Sequence, residues 1–287
     1  VRDVLDILLT GFDSPRLFYQ VQYREARGSW KAHTPRSFKL PSQSLADGGK
    51  ITAILISDDH TFDDADYDVP DAFKPVKLTG DYVNAFMRGL SAKSSWKPSG
   101  GLAPLKNGFT LAQTLNYILT NEDPDFIINL GDASGIGANY KWKGLGLPTT
   151  NLTEADHEYI SRILWMRMRK MYSAVTPSIP FYMALGNHDG EESWNSLRAS
   201  ATKWRKKLFA FPDLATFPEG GHPDGNYYAF TAGADTNNRG GAQFIFLDVC
   251  RFCDQAPKKP EEWTLGSEQL KWFERVLSKG GKDFSFA

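Results

Sequence analysis

Four continuous apolar runs, each ending in a polar cluster, constrain this chain more than any other feature. They are "ITAILISDDH" (51–60), "DFIINLGDAS" (125–134), "PFYMALGNHD" (180–189) and "AQFIFLDVC" (242–250). A run without polar alternation is a strand covered on both faces, which places it inside a layered structure. Helical patterns stand between the runs. "FTLAQTLNYILT", from Phe109 to Thr120, carries apolar residues at helical spacing. "TEADHEYISRILWMRMRKMYS" opens with Thr153 as a predicted N-cap, and Asp156 three residues on makes a loose capping box. "SEQLKWFERVLS" starts at Ser267 and lines Leu270, Phe273, Val276 and Leu277 along one face. Strands alternating with helices predict an α/β layered fold.

The first forty residues read differently. "LFYQVQYRE" (Leu17 to Glu25) alternates apolar and polar residues, "ARGSW" is a turn, and "RSFKLP" is a second extended piece. A Pro, Ser and Gly-rich stretch follows. The boundaries expected are therefore a small β unit over 1–42, a linker over 43–50, and a main domain over 51–287.

Composition excludes several classes. With 33 basic against 34 acidic residues, bulk charge supports neither a nucleic-acid surface nor an anionic-membrane surface. No apolar run approaches the roughly 18 residues of a membrane span. Residues Val1 to Thr10 mix charges with apolar residues and do not form a signal peptide. Cys250 and Cys253 are the only cysteines. One C-x-x-C after a strand is half of a zinc set and lacks the helix start of a redox pair, so a local disulfide or free thiols is the expectation. "NLT" at Asn151 fits a glycosylation sequon and favours export.

In α/β sheets, ligands bind beyond the carboxyl ends of the strands. The residues there are Asp58, Asp59 and His60; Asp132; Asn187, His188 and Asp189; and Asp248. Each alone is an ordinary strand-end cap or turn residue. Together they gather carboxylate, imidazole and amide donors of the kind that suit zinc, iron or manganese. Asp59 points opposite to Asp58 on an extended segment, so it supports the site or faces solvent. Gly80-Asp81 follows a polar stretch and reads as a helix cap. The acidic stretch 63–71 lacks the glycine and distal glutamate of a calcium loop. His222 sits in a Gly-rich surface loop.

The ordered set D-x-H, G-D and G-N-H-D resembles the calcineurin-like metallophosphoesterase superfamily over about the last four-fifths of the chain. The resemblance implies a two-sheet β-sandwich flanked by helices, holding two metal ions. It implies that Asp58 and His60 bind the first metal, Asp132 bridges both, and Asn187 binds the second. A metal-bound hydroxide would then attack phosphorus. His188 would act on the phosphate and Asp189 would orient it. Asp248 matches no ligand position and is expected to be structural.

The superfamily's later histidines have no counterpart here, since His33, His157 and His222 are wrongly placed. The expectation is a chain from the middle of a longer polypeptide, whose C-terminal segment supplies further histidine ligands. The front unit resembles the last strands of a fibronectin type III-like sandwich, as in purple acid phosphatases. Those enzymes have D-x-G where this chain has Asp58-Asp59-His60, and a metal-binding tyrosine where it has Gly135. A tyrosinate-ligated ferric site is therefore not expected. The leading expectation is an exported phosphatase acting on a small phosphorylated substrate. A phosphodiesterase or nucleotide hydrolase is the alternative within enzymes, and a non-catalytic binding protein with an incomplete metal site the alternative outside them.

Overall fold

In the computed structural model, the described residues are 16–24, 26–39, 45, 48–59, 103–133, 153–189, 198–210, 219–235, 239–249, 265–279 and 282–287. His60, Asp81, Gly135, Asn151, Cys250, Cys253 and the acidic stretch 63–71 lie outside them. Four short strands come first. β1 (Arg16–Tyr19) pairs antiparallel with β4 (Arg36–Lys39), and β2 (Gln22–Tyr23) pairs antiparallel with β3 (Lys31–Ala32). The stretch read as one strand from Leu17 to Glu25 is thus divided between two ribbons.

The main chain path then runs β5 (Ala53–Ile56), α1 (Ala103–Asn121), β6 (Phe126–Asn129), α2 (Glu154–Tyr172) and β7 (Phe181–Met183). It continues through α3 (Arg198–Leu208), β8 (Tyr228–Ala232), β9 (Ala242–Phe246), α4 (Ser267–Ser278) and β10 (Phe284–Phe286). β5, β6 and β7 form one parallel sheet in that order. β8 and β9 pair antiparallel, and β10 joins β9 in parallel.

Side-chain alternation along the strands fixes the layers. Phe126 and Ile128 of β6 meet Tyr228, Phe230, Phe244 and Phe246 of the second sheet, so the two sheets pack face to face. Ile127, between them, turns the other way and packs with Leu115, Leu164, Trp165 and Trp204 of α1, α2 and α3. On the far side, Ala229 and Ile245 pack with Trp272 and Val276 of α4. The result is a two-sheet sandwich with helices on both outer faces, the layered α/β arrangement that the alternating runs predict. An aromatic seam holds the sheets together. Phe126 sits edge-on to Tyr182, Phe230 and Phe244 at centroid distances of 5.8, 5.5 and 5.1 Å, the geometry that ring quadrupoles favour.

Local signals held at α2 and shifted at α4. Thr153 caps α2 as expected: its hydroxyl accepts from the Asp156 amide, and its own amide donates to Asp156 Oδ2 at 2.9 Å. At α4, by contrast, the cap is Gly266 and no side chain closes it. The buried face is Gln269, Trp272 and Val276, while Leu270 and Leu277 are exposed. The expected apolar stripe is therefore rotated. Gln269 draws that face inward, because its amide bonds the Asp248 backbone on both sides at 2.8 Å. Strand β8 and helix α3 were not anticipated. β8 follows a Gly-rich loop, and α3 carries five basic residues that mask its short apolar face.

Candidate functional site

Because β5, β6 and β7 run in parallel and in register, their carboxyl ends reach one edge of the sheet together. Ile56 lies opposite Asn129, and Asn129 opposite Met183. Beyond these partners come Asp58, Asp132 and Asn187, one from each strand. The backbone ladder extends into the turns, since the Asp58 amide donates to the Gly131 carbonyl at 3.1 Å.

Both acidic turn residues adopt left-handed backbone, with φ of 55° at Asp58 and 54° at Asp132. A side chain there costs on the order of 1–3 kcal/mol and persists only where its surroundings hold it. Asp tolerates the region better than most residues. The third strand explains part of the holding. A Cβ on Gly131 would lie 2.5 Å from the Gly186 nitrogen, and one on Gly186 would lie 2.1 Å from Asp132 Oδ1. These two glycines are needed because the β6 and β7 turns cross at backbone contact.

Hydrogen bonds lock that crossing. Asp189 is almost fully buried, and its Oδ2 accepts from the Gly186 amide at 2.9 Å and the Asp132 amide at 3.0 Å. In return, Asp132 Oδ1 accepts from the His188 amide at 2.7 Å. Sequence reasoning gave Asp189 to the imidazole of His188. The structure adds another task, tying the Asp132 turn to the Asn187–His188 turn. Asp132, Asn187 and His188 themselves are partly exposed at the end of the sheet.

Beneath Asp58 lies a second network. Asn129 and Tyr172 are fully buried. Asn129 Nδ2 donates to Asp59 Oδ2 at 2.8 Å and to the Tyr172 hydroxyl at 2.7 Å, while its Oδ1 accepts from the Gly131 amide at 2.8 Å. The Tyr172 hydroxyl donates to Asp59. Burial, and then the Asp59 charge, push the Tyr172 hydroxyl well above the usual tyrosine range. It therefore remains a donor. Asp59 is thus bound inward rather than solvated. Asn129 had a readable signal, as the one polar residue within "FIINL"; Tyr172 had none, because a helix contact brings it there.

Two other candidates are structural. Asp248 is buried, accepts from Asn226 Nδ2 at 3.0 Å and is framed by Gln269. His222 closes its own loop: its Nδ1 accepts from the Asp224 amide at 3.1 Å, and its ring packs against Tyr227.

Among the described residues, no three His, Cys, Asp or Glu side chains group as a metal site. Of the ligands that the resemblance implies, Asn187 brings an amide, and His60 lies outside the described residues. What remains is Asp58 and Asp132, both in the left-handed backbone at neighbouring strand ends, with Asn187 in the turn after the third strand. Oxygen donors of this kind fit a divalent cation.

The family model for calcineurin-like phosphoesterases matches residues 106–284, which include Asp132 and Asn187 to Asp189 and leave out Asp58 and His60. No curated protein matches the sequence. Among solved structures, the purple acid phosphatase PPD1 of yellow lupin (Lupinus luteus) seeds aligns over 92% of this chain, with 13% identity and a TM-score of 0.44. The chain spans 34% of that protein's length. With well over half of its residues matched by the family model, the chain belongs to the calcineurin-like phosphoesterases.

Proposed function

We propose that the protein is a metal-dependent phosphoester hydrolase, a phosphatase working with two metal ions. One observation carries this reading: three adjacent parallel strands end in Asp58, Asp132 and Asn187–His188, interlocked by hydrogen bonds. Asp58, His60, Asp132 and Asn187 hold the metals in this proposal. Bound metal ions supply Lewis acidity at the phosphoryl oxygens and make water nucleophilic near neutral pH. The chain's own residues do the rest. The His188 amide donates to Asp132 Oδ1 and fixes the rotamer of that carboxylate. The His188 imidazole binds the phosphate and passes a proton to the leaving oxygen. Asp189 orients that imidazole and, through Oδ2, keeps its turn in place.

We propose further that a C-terminal segment of the same polypeptide supplies the remaining histidines. Its support is an apolar groove of about 850 Å³ between the two sheets, lined by Leu55, Leu130, Val249, Phe284 and Phe286. The groove opens at β5 and β10, whose outer edges are unpaired among the described residues. A strand added beside β10 would lay its apolar side chains there. Export is part of the same proposal, supported by the Asn151 sequon. No helix among the described residues is long and apolar enough to cross a membrane.

Turnover of an aryl phosphate monoester, compared with its diester after loading with Mn²⁺, Fe²⁺ or Zn²⁺, tests the proposal. Monoester preference is expected. Strong diester preference would replace the phosphatase by a phosphodiesterase. Failure of the full polypeptide to bind a stoichiometric metal would leave a binding protein instead.

A further inference from the structure

Asn129 is in use at both ends of its amide, and the two ends serve different strands. Oδ1 holds the Gly131 amide, inside the turn that displays Asp132. Nδ2 holds Asp59, the residue next to Asp58. Tyr172, from α2, accepts from the same Nδ2 and donates to the same carboxylate oxygen. We propose that Asn129, Asp59 and Tyr172 form a positioning device that locks the β5 and β6 turns into one rigid frame for the ligands they carry. This inference rests on the metal-site reading above.

Stability alone does not call for these groups. β6 needs only its backbone to pair with β5 and β7, and Ile127, two residues back on the same face, belongs to the apolar core beneath the helices. Removing a set of buried polar partners together is close to neutral when apolar groups replace them. The frame, however, has a specific task to perform. Asp58 and Asp132 both occupy left-handed backbone, a conformation that lasts only where several contacts fix it. The Asn129 amide lies between those two residues and is bonded to the turn of each. Asp132 is also held from the β7 side by Asp189. For the Asp58 turn, the Asp59 clamp is the matching restraint. Partners that orient ligands in this way change metal affinity about 10- to 100-fold when they are lost.

The test uses the full polypeptide, titrated calorimetrically with Mn²⁺ and with Zn²⁺, alongside thermal unfolding of the metal-free protein. The variants are Asn129→Leu, Tyr172→Phe, Asp59→Ala and Asp59→Asn. Tyr172→Phe keeps the ring packed on Phe181 at 4.4 Å and deletes only the hydroxyl, so it guards against misfolding. Asn129→Leu and Asp59→Ala should weaken metal binding about 10- to 100-fold, a larger loss than follows from the fall in metal-free midpoint that orphaning the Gly131 amide or the Tyr172 hydroxyl brings. Asp59→Asn retains an acceptor for both donors and should recover most of the affinity. Three results would overturn the inference: parent-like affinity in Asn129→Leu, affinity lost only in step with metal-free stability, or Asp59→Asn falling as far as Asp59→Ala. A parent polypeptide that takes up neither ion overturns the metal-site reading itself, and the inference with it.

Discussion

Gly186 has no room for a methyl group, because its Cβ would meet both the carboxylate and the amide of Asp132. Gly186→Ala should therefore push the β6 and β7 turns apart, at about 1–3 kcal/mol of stability, and should weaken metal binding. Urea unfolding with and without metal reads both effects. Wild-type metal affinity in this variant would show that the crossing is not what shapes the site. His188 and Asp132 are separable by the same logic. His188→Ala keeps every proposed ligand and should retain metal while losing about 10²–10⁴ in kcat. Asp132→Asn should lose metal as well. Equal metal loss in the two variants would mean their roles are wrongly divided. At this scale the sequence was informative wherever the side chain sits at a strand end. Asp58, Asp132 and Asn187 to Asp189 are legible because buried strands must stop where polar residues begin. The Asn129–Asp59–Tyr172 network is not, because its closure depends on how α2 lies against the sheet.

Helix faces show the same division. The capping box at Thr153 is a contact between residues three apart, so the sequence contains all of it. The buried face of α4 depends on Asp248, a residue 21 positions from Gln269, and no periodicity reports such a partner. Gln269→Ala would orphan the buried amide and carbonyl of Asp248, at a cost of about 1–3 kcal/mol. Leu270→Lys, on the face first expected to be buried, should change stability by less than about 0.5 kcal/mol. A larger loss from Leu270→Lys would restore the original stripe. Between α2 and α3, Glu158 accepts from Lys203 and from the Trp204 indole, the latter at 2.6 Å. The Lys203 hydrogen bond, with help from Trp204, holds its carboxyl below the usual glutamate range. A lowered folded value means that this contribution is present above the unfolded pKa, about 4.3. It is lost as pH falls through the folded one. The thermal midpoint should therefore drop more steeply with acid in the wild type than in Glu158→Gln. Parallel acid profiles would remove Glu158 from the account.

For the whole molecule, the layered sandwich was legible because each apolar run implied a covered strand. The joining of the front unit to it was not. That junction turns on a few long-range contacts: the Tyr19 hydroxyl donates to the Pro177 carbonyl at 2.6 Å, and Lys39 reaches Asp125 at 3.1 Å. Asp125 is nearly fully buried and also accepts from the Thr52 amide at 2.7 Å, where β5 begins. A buried carboxylate that loses its cation keeps its desolvation cost and loses the attraction that offset it. Because the Lys39 side chain is 31% exposed, the loss should fall below that of a fully buried pair. Lys39→Met should destabilise the protein by about 1–3 kcal/mol, whereas Asp123→Ala, which removes only exposed pairs, should cost less than about 1 kcal/mol. Adding Asp125→Asn to Lys39→Met removes the stranded charge. The double variant should then be more stable than the two single losses sum to, by at least about 0.5 kcal/mol. Additive losses in urea unfolding would show that the front unit is held by Tyr19 and surface contact, with the Lys39–Asp125 pair contributing nothing to the junction.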